Sequence, residues 1–382
     1  MALLGGNMTV RYPDYSNGNM NISCSLLKYY GCPYRHPSLE VLDNLFETRK
    51  PRNVVFMLFD AMGISIINRH LPEDSFIRRH IVRSLTSTFP PTTVAATTAI
   101  NSGLQPIETG WLGWITYFKE VDQNVVTFFN TKQGNEHESL NVPHLAYSNM
   151  PYPSLIMQIR AKHPEINVMS FSPFMTFPTD PNTKTVSVTD GCDRIIEMIK
   201  EEGPHFIYSY WDNPDHDMHV HGIDAPCITD ILKDIDRNLE RLSREIGDDT
   251  LVIVTADHSQ INSKWVYLCD YPELQNLLVR PHSIEFRAAS LFVKEGKQEE
   301  FKERFEKLLG DHFILMSHKE FLESGLLGNS LPHPRTDGFV GDFVAISKDE
   351  YCLGDYHEDS KGLIGMHAGL TEEEMMVPLI VL

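Results

Sequence analysis

Three short runs of almost entirely apolar residues stand out in the sequence, and an aspartate follows each run closely. The runs cover residues 54–59, 206–211 and 251–254, and the aspartates are Asp60, Asp215 and Asp257. Strands that are apolar at successive positions are buried on both faces, which is typical of parallel sheets. Segments with helical periodicity lie between the runs, the clearest at residues 228–246. The sequence therefore predicts an α/β fold with a largely parallel central sheet.

The chain has 382 residues, which is enough for a large core with an inserted subdomain. Residues 1–50 are rich in Tyr, Asn and Pro, and we expect them to form an extension on the surface. Residues 263–350 differ from the rest because strand-like runs flank a charged amphipathic segment at 298–309. We interpret them as a smaller α+β subdomain, inserted into a core made of residues 51–262 and 351–382.

Histidines accompany the aspartates in the sequence. His258 directly follows Asp257, His219 lies four residues after Asp215, and His367 stands near the C-terminus. Because ligands bind at the carboxyl ends of strands in open α/β sheets, we expect these side chains to converge on one sheet edge. Three aspartates and three histidines provide two sets of three ligands, and catalytic zinc takes three protein ligands with one position left open. Two such ions can hold both the attacking and the leaving oxygen of a displacement at phosphorus.

A nucleophile is available in the threonine-rich stretch of residues 86–98. This stretch predicts a turn followed by a helix of small residues, which Gly103 ends. A threonine in the first turn of that helix would face backbone N–H groups that favour a bound anion. A hydroxyl next to a divalent cation loses its proton more easily and becomes a better nucleophile. Thr92 and Thr93 both fit this position, and Thr92 also fits the role of helix N-cap.

Composition excludes several kinds of partner. The formal net charge of −19 argues against a nucleic acid polymer, since phosphate backbones require a basic surface. No apolar run has the length needed to span a bilayer, so we expect no membrane partner. The first 20 residues lack a basic region followed by an apolar stretch, and the six cysteines form no CxxC pair, so we expect a cytoplasmic protein with reduced cysteines. The composition does not decide whether the protein forms a homo-oligomer.

The motifs together resemble those of the type I phosphodiesterase / nucleotide pyrophosphatase family of the alkaline phosphatase superfamily. The resemblance runs from about residue 52 to the C-terminus, with the matching pieces in the same order and at similar spacing. These pieces are Leu58-Phe59-Asp60-Ala61-Met62-Gly63, Phe89-Pro90-Pro91-Thr92-Thr93 with Ser102-Gly103 and Gly110, Pro214-Asp215 with His219 and Gly222, Thr255-Ala256-Asp257-His258, and Met366-His367-Ala368-Gly369-Leu370.

The resemblance implies an alkaline phosphatase-like three-layer core and two divalent ions, most simply zinc, with manganese as the alternative. It implies that one ion, held by Asp60, Asp257 and His258, activates the nucleophile. It implies that the other ion stabilises the leaving group and is held by Asp215, His219 and His367. In this family the nucleophile lies ten residues before a motif glycine, which corresponds to Gly103 here. The resemblance therefore implies that Thr93 is the nucleophile and that the reaction passes through a phospho-threonine intermediate.

The substrate pocket departs from the family pattern. Nucleotide pyrophosphatases usually follow the nucleophile with Asn-His-Tyr, whereas residues 94–96 here are Val-Ala-Ala. They also place an asparagine shortly after a second motif glycine, whereas the corresponding residue here, Gly110, is followed by Trp-Leu-Gly-Trp. We predict that Trp111 and Trp114, together with Tyr117 and Phe118, line the pocket.

We therefore predict a hydrolase of small-molecule phosphate esters, with phosphodiester or pyrophosphate bonds favoured. A phosphomonoesterase or a phosphonate-processing hydrolase on the same metal core is the alternative. A catalytically inactive binding protein of this fold is less favoured, because such a protein would be expected to lose ligands and this chain keeps all six. His216 and His221 flank the ligand His219, and we interpret them as exposed residues or as neighbours of the ligands.

Overall fold

The computed structural model describes residues 8–173 and 181–382. Its strands, in chain order, are β1 (Asn53–Phe59), β2 (Ile81–Thr86), β3 (Ile115–Phe118), β4 (Gln123–Val126), β5 (Thr131–Lys132), β6 (Asn135–Ser139), β7 (Asn167–Ser172), β8 (Asn182–Lys184), β9 (His205–Trp211), β10 (Thr250–Thr255), β11 (Ile261–Asn262), β12 (Lys264–Tyr267), β13 (Ser283–Glu285), β14 (Ala288–Leu291), β15 (Phe313–Ser317), β16 (Phe343–Ser347), β17 (Tyr351–Gly354), β18 (Gly365–Met366) and β19 (Met376–Val381).

The α-helices of the described residues vary from one turn to twenty residues in length, and none of them has both the length and the apolar character needed to cross a bilayer. In chain order they are α1 (Met20–Tyr29), α2 (Glu40–Arg49), α3 (Ile64–His70), α4 (Phe76–His80), α5 (Thr93–Ser102), α6 (Pro106–Thr109), α7 (Leu145–Asn149), α8 (Leu155–Lys162), α9 (Val188–Ile199), α10 (Asp215–His221), α11 (Pro226–Glu245), α12 (Pro272–Gln275), α13 (Gln298–Leu309), α14 (His318–Glu323), α15 (Thr336–Phe339) and α16 (Glu372–Met375).

A seven-stranded sheet with the order β2-β19-β10-β1-β9-β7-β8 forms the centre of the fold. The strands from β10 to β8 run parallel, and β19 is antiparallel to its neighbours β10 and β2. The three apolar runs of the sequence are β1, β9 and β10, and every residue of β1 and β10 is buried. The predicted α/β fold with a largely parallel central sheet is confirmed.

Helices pack on this sheet in two groups and share one apolar core with it. One group contains α3, α4, α9 and α11, and the other contains α1, α2, α5 and α8. Helix α11 buries the predicted apolar face, including Ile228, Leu232, Ile235 and Leu239, all fully inaccessible to solvent. Its C-cap residue is Ile246.

The expectation that residues 1–50 form a surface extension is wrong for helix α1. Ile22 and Leu26 belong to the central core, and the side chain of Asn19 is fully buried. Its amide group donates hydrogen bonds to the backbone carbonyls of Ala256 and Asp257, at 3.1 and 2.8 Å. The polar composition of the segment was misleading because Asn19 and Asn21 are fully buried and their side chains bond to backbone groups, so they do not face water.

A second sheet, wholly antiparallel, has the order β15-β16-β14-β13-β3-β4-β5-β6. It therefore combines strands from the predicted insertion at 263–350 with strands from residues 115–139. The sequence pattern indicated strands in the first of these segments, but it did not reveal their partners, because pairing depends on tertiary structure. The proposed domain boundaries stay a prediction.

A buried ion pair joins the second sheet to the C-terminal part of the core. Arg287 follows β13, Glu374 lies in α16, and both side chains are completely buried. The guanidinium donates to the two carboxylate oxygens at 2.7 and 2.8 Å. Glu374 also accepts the N–H of Gly369 at 2.8 Å, two residues after His367. The pair therefore anchors the segment that carries a predicted metal ligand.

We expect Glu374→Ala to lower the free energy of unfolding by about 3–5 kcal/mol, because it leaves the Arg287 charge buried without a partner. Urea denaturation followed by circular dichroism measures this change. Glu350→Ala is the matched control, since it removes the partner of the solvent-exposed Lys264 and should have a much smaller effect. Equal losses in the two variants would contradict the prediction.

Candidate metal centre and nucleophile

The three predicted aspartates lie at the carboxyl ends of three neighbouring strands. Asp60 directly follows β1, Asp257 lies two residues beyond β10, and Asp215 follows β9 as the first residue of α10. Strand β1 pairs with both β9 and β10 in parallel register, so the three strand ends meet at one edge of the sheet. The backbone N–H of Asp215 donates to the carbonyl of Asp60 at 3.2 Å.

The first triad consists of Asp60, Asp257 and His258. Nε2 of His258 lies 3.4 Å from Oδ1 of Asp60 and 3.6 Å from Oδ2 of Asp257. All three side chains are almost completely inaccessible to solvent. One nitrogen and two carboxylate oxygens thus converge on a space large enough for a single ion.

The second triad consists of Asp215, His219 and His367. Asp215 and His219 are one turn apart on α10, and Oδ2 of Asp215 lies 3.2 Å from Nε2 of His219. Nε2 of His367 lies 3.9 Å from Oδ1 of Asp215. This triad is slightly more accessible, since 13% of the Asp215 side chain and 21% of the His219 side chain are exposed.

The two triads are neighbours in space. Strand β18, which ends just before His367, pairs with β11, which begins three residues after His258. The rings of His258 and His367 stack with their centroids 4.0 Å apart. All six predicted ligands are therefore brought together at one site, although they are spread over more than 300 residues of sequence. Their role as metal ligands stays a prediction.

The three histidines share one hydrogen-bonding arrangement. Nδ1 of each ring lies within hydrogen-bond distance of a backbone carbonyl, namely that of Ser259 for His258, Gly365 for His219 and Pro91 for His367. A ring whose Nδ1–H donates to a carbonyl presents an unprotonated Nε2 to the triads. Metal-bound histidines are typically fixed in this way by an outer hydrogen bond.

Within the first triad, two buried carboxylate oxygens have no hydrogen-bond partner among the described residues, namely Oδ1 of Asp60 and Oδ2 of Asp257. The opposite oxygens are satisfied, since Oδ2 of Asp60 accepts from the Tyr210 hydroxyl and Oδ1 of Asp257 accepts from backbone N–H groups. A buried anionic oxygen without a donor is costly unless a cation is present. These residues therefore fit a divalent ion with nitrogen and oxygen ligands.

The ionisation of the cluster reflects the crowding of charges. Burial and the neighbouring charges of Asp257 and Asp215 raise the pKa of Asp60 well above its usual value. Burial also raises the pKa of Asp215, but the nearby His219 and His367 outweigh it and hold that pKa below its usual value. Burial and the charge of His258 lower the pKa of His367, which favours the neutral ring that binds metals.

Thr93 is the first residue of helix α5 and faces the first triad. Its Oγ1 lies 3.4 Å from Oδ2 of Asp60 and 3.4 Å from Nε2 of His258. Thr92 is the N-cap residue by position, but its hydroxyl makes no capping bond and donates to Oε1 of Glu285 at 2.6 Å. Of the two candidate nucleophiles, only Thr93 has its hydroxyl next to the triads.

The aromatic residues predicted to line the pocket have different positions. Trp111 is fully buried, and its indole N–H donates to the carbonyl of Met150 at 2.8 Å. Phe118 is also fully buried, so the pocket prediction is wrong for Trp111 and Phe118, because both rings fill the core beneath the second sheet. Trp114 and Tyr117 are partly exposed, and their part in substrate binding stays a prediction.

His216 and His221 lie on the exposed side of α10 and belong to neither triad. Tyr210 and Gln260, which the sequence did not single out, contact the aspartates directly. Tyr210 donates to Asp60, and the amide of Gln260 donates to Asp215. Tyr210 lies five residues before Asp215 and Gln260 two residues after His258, and this proximity in sequence was the one signal that pointed to them.

Glu285 is the third residue that the sequence did not reveal. It ends β13 in the second sheet and is 4% exposed. Its Oε1 accepts the hydroxyl of Thr92 at 2.6 Å and the backbone N–H of Trp114 at 2.7 Å. Burial raises the pKa of Glu285 to about 7, although these two hydrogen bonds and the charges of His258 and His219 act in the opposite direction.

This raised pKa predicts how the stability of the metal-free protein depends on pH. Between pH 4.5 and about 7 the folded state holds a proton on Glu285 that the unfolded state has released, so stability falls as pH rises. Across this window we expect the metal-free protein to lose about 3 kcal/mol relative to Glu285→Gln. Urea unfolding in a chelating buffer measures the difference, and a difference that does not change with pH would contradict the assignment.

Comparison with known proteins points to one family. A model of the type I phosphodiesterase / nucleotide pyrophosphatase family matches residues 54–370 of the chain. The human ectonucleotide pyrophosphatase/phosphodiesterase family member 5 is 30% identical over 155 residues. That match covers 38% of this chain and 31% of the human protein, so the aligned part spans about a third of the length of this curated relative.

Solved structures share the fold. Murine ectonucleotide pyrophosphatase / phosphodiesterase 5 has a TM-score of 0.62 at 19% identity, covering 85% of this chain and 87% of the murine chain. Phosphonoacetate hydrolase from Sinorhizobium meliloti 1021, in complex with phosphonoformate, has a TM-score of 0.63 at 15% identity. Its match covers 87% of this chain and 90% of the hydrolase. The alkaline phosphatase-like fold is thereby confirmed.

Proposed function

Because the chain belongs to the type I phosphodiesterase / nucleotide pyrophosphatase family, we propose that it is a two-metal hydrolase of small phosphate esters with Thr93 as its nucleophile. Phosphodiester and pyrophosphate bonds are the favoured substrates. The observation that carries the proposal is the position of the Thr93 hydroxyl, which is 3.4 Å from both Asp60 and His258 at the start of a helix.

A related structure supports the choice of residue and substrate. A threonine-to-alanine variant of the murine relative is described as inactive and was solved in complex with AMP. Its TM-score against this chain is 0.61, at 18% identity. Both a threonine that is needed for activity and a nucleotide ligand are consistent with the role proposed for Thr93.

Two divalent ions would occupy the triads, one at Asp60, Asp257 and His258 and one at Asp215, His219 and His367. Bound there, such ions would supply positive charge that lowers the pKa of a hydroxyl or water and neutralises a leaving oxygen. We propose zinc, since nitrogen and carboxylate ligands in sets of three suit it, with manganese as the alternative.

Different groups of the chain have different roles in the proposed reaction. The Thr93 oxygen attacks phosphorus and forms a new O–P bond, while the bond between phosphorus and the leaving group breaks. Oδ2 of Asp60 and Nε2 of His258, each 3.4 Å from Oγ1, are both within reach of the hydroxyl proton of Thr93. Unpaired N–H groups at the start of α5 favour the negative charge on the transferred phosphoryl group. Water then hydrolyses the phospho-threonine and frees Thr93 for another turnover.

A phosphomonoesterase or a phosphonate-processing hydrolase stays the alternative, because phosphonoacetate hydrolase shares the fold. An inactive binding protein is disfavoured, since all six predicted ligands and Thr93 are present at one site. Rates with bis-p-nitrophenyl phosphate and p-nitrophenyl phosphate compare diester with monoester hydrolysis.

We propose a cytoplasmic location, and the six free cysteines agree with a reducing compartment.

Metal analysis of the purified protein is the direct test of the two-ion proposal. After reconstitution with zinc we expect about two ions per chain, and His367→Ala together with Asp215→Ala should reduce this to about one. Plasma emission spectrometry provides the count. Finding no bound ion after reconstitution would reject the proposal, whatever the activity.

Replacement of the nucleophile should separate chemistry from metal binding. We expect Thr93→Ala to lower kcat by more than about 10³-fold while zinc content stays near that of the unmodified protein. Thr92→Ala is the matched control, because its hydroxyl points to Glu285, and it should keep measurable turnover. The assignment is wrong if Thr92→Ala is inactive and Thr93→Ala is active.

A further inference from the structure

Glu285 reaches the candidate centre from outside the family motifs. It belongs to β13 of the second sheet, yet its carboxylate accepts the hydroxyl of Thr92, the residue that directly precedes Thr93. The same oxygen, Oε1, also accepts the backbone N–H of Trp114. Both hydrogen bonds come from uncharged donors, and both are made to one of the two carboxylate oxygens.

The carboxylate of Glu285 is buried without an ion-pair partner among the described residues. Within residues 8–173 and 181–382, none of the ion pairs involves Glu285, although its side chain is 4% exposed. His258 in the first triad and His219 in the second triad attract this carboxylate electrostatically, and both act to lower its pKa. Through its hydrogen bond to Thr92, Glu285 lies at the start of α5 next to Thr93, and among the described residues no lysine or arginine forms an ion pair with its carboxylate.

Among the described residues, no lysine or arginine forms an ion pair with any of the six ligands either. Across the described part of the chain, their ion pairs are formed only with one another. A phosphate ester bound at Thr93 would thus meet the helix N-terminus and the metal ions on one side and the Glu285 carboxylate nearby. Divalent ions at the triads would favour the ionised form of that carboxylate.

We propose that Glu285 is a specificity-determining residue that disfavours doubly charged phosphate monoesters relative to singly charged diesters. The inference rests on the proposed function and adds a residue that selects the substrate by charge. A diester carries one negative charge at neutral pH, whereas a monoester carries nearly two. Repulsion by a buried carboxylate increases with the charge of its neighbour, so it weakens monoester binding more than diester binding.

Glu285→Gln tests this role, because glutamine keeps an oxygen that can accept from Thr92 and Trp114 while the charge is removed. For the zinc-loaded enzyme, we expect the ratio of kcat/KM for p-nitrophenyl phosphate to that for bis-p-nitrophenyl phosphate to rise on the order of ten-fold. The ratio is measured within one preparation, so a general loss of folded enzyme cancels. Glu285→Met, a second uncharged variant of similar length, should shift the ratio in the same direction.

A binding measurement gives a readout that does not depend on turnover. Isothermal titration of inorganic phosphate into the zinc-loaded protein at pH 8 should show roughly ten-fold tighter binding by Glu285→Gln than by the unmodified protein. Glu295→Gln is the control, because it removes one negative charge from an exposed position in the same subdomain. It should leave both the substrate ratio and the phosphate affinity unchanged.

Thr92→Ala separates a charge effect from a purely structural one. It removes one hydrogen bond to Glu285 but keeps the carboxylate, so the substrate ratio should stay close to that of the unmodified enzyme. The inference is overturned if Glu285→Gln changes the ratio and the phosphate affinity by less than two-fold, or if Thr92→Ala shifts the ratio as much. If the unmodified zinc-loaded enzyme hydrolyses neither ester, the proposed function itself has failed.

Discussion

Three largely buried carboxylates lie close together at the ends of adjacent strands, and the repulsion between their charges determines what the site can bind. Asp60, Asp257 and Asp215 would repel one another if all were ionised, and two of their oxygens have no hydrogen-bond donor. Buried anions of this kind are stabilised only by cations or by taking up protons. The three histidines, each anchored through Nδ1, direct their Nε2 atoms into the same space, and together these groups form two sets of ligands.

The rest of the fold holds these groups in place. Asn19 in the N-terminal segment binds the carbonyl groups beside Asp257, and Glu374 binds the N–H of Gly369, near His367. Arg287 neutralises Glu374 and lies in the turn that connects β13 and β14 of the second sheet. Through these contacts, segments that are remote in sequence stabilise the backbone on both sides of the centre, which a precise ligand geometry requires.

The second sheet also contributes to the space where a substrate would lie. Nucleotide pyrophosphatases usually carry an asparagine after the glycine that corresponds to Gly110, whereas here Trp111 fills the core and the N–H of Trp114 binds Glu285. The family motifs thus account for the predicted ligands and the predicted nucleophile, while a strand from the other sheet supplies the carboxylate that binds Thr92. Substrate choice in this chain is therefore expected to depend on the second sheet.

The sequence alone determined the central sheet, the six converging side chains and the helix that carries Thr93. It could do so because buried parallel strands are apolar at successive positions and ligands lie at their ends. Tertiary structure alone decided the burial of Asn19, the packing of Trp111 and the approach of Glu285 to Thr92. These contacts join residues up to 238 positions apart in the chain, and no local pattern of apolar and polar residues records which distant segments will pair.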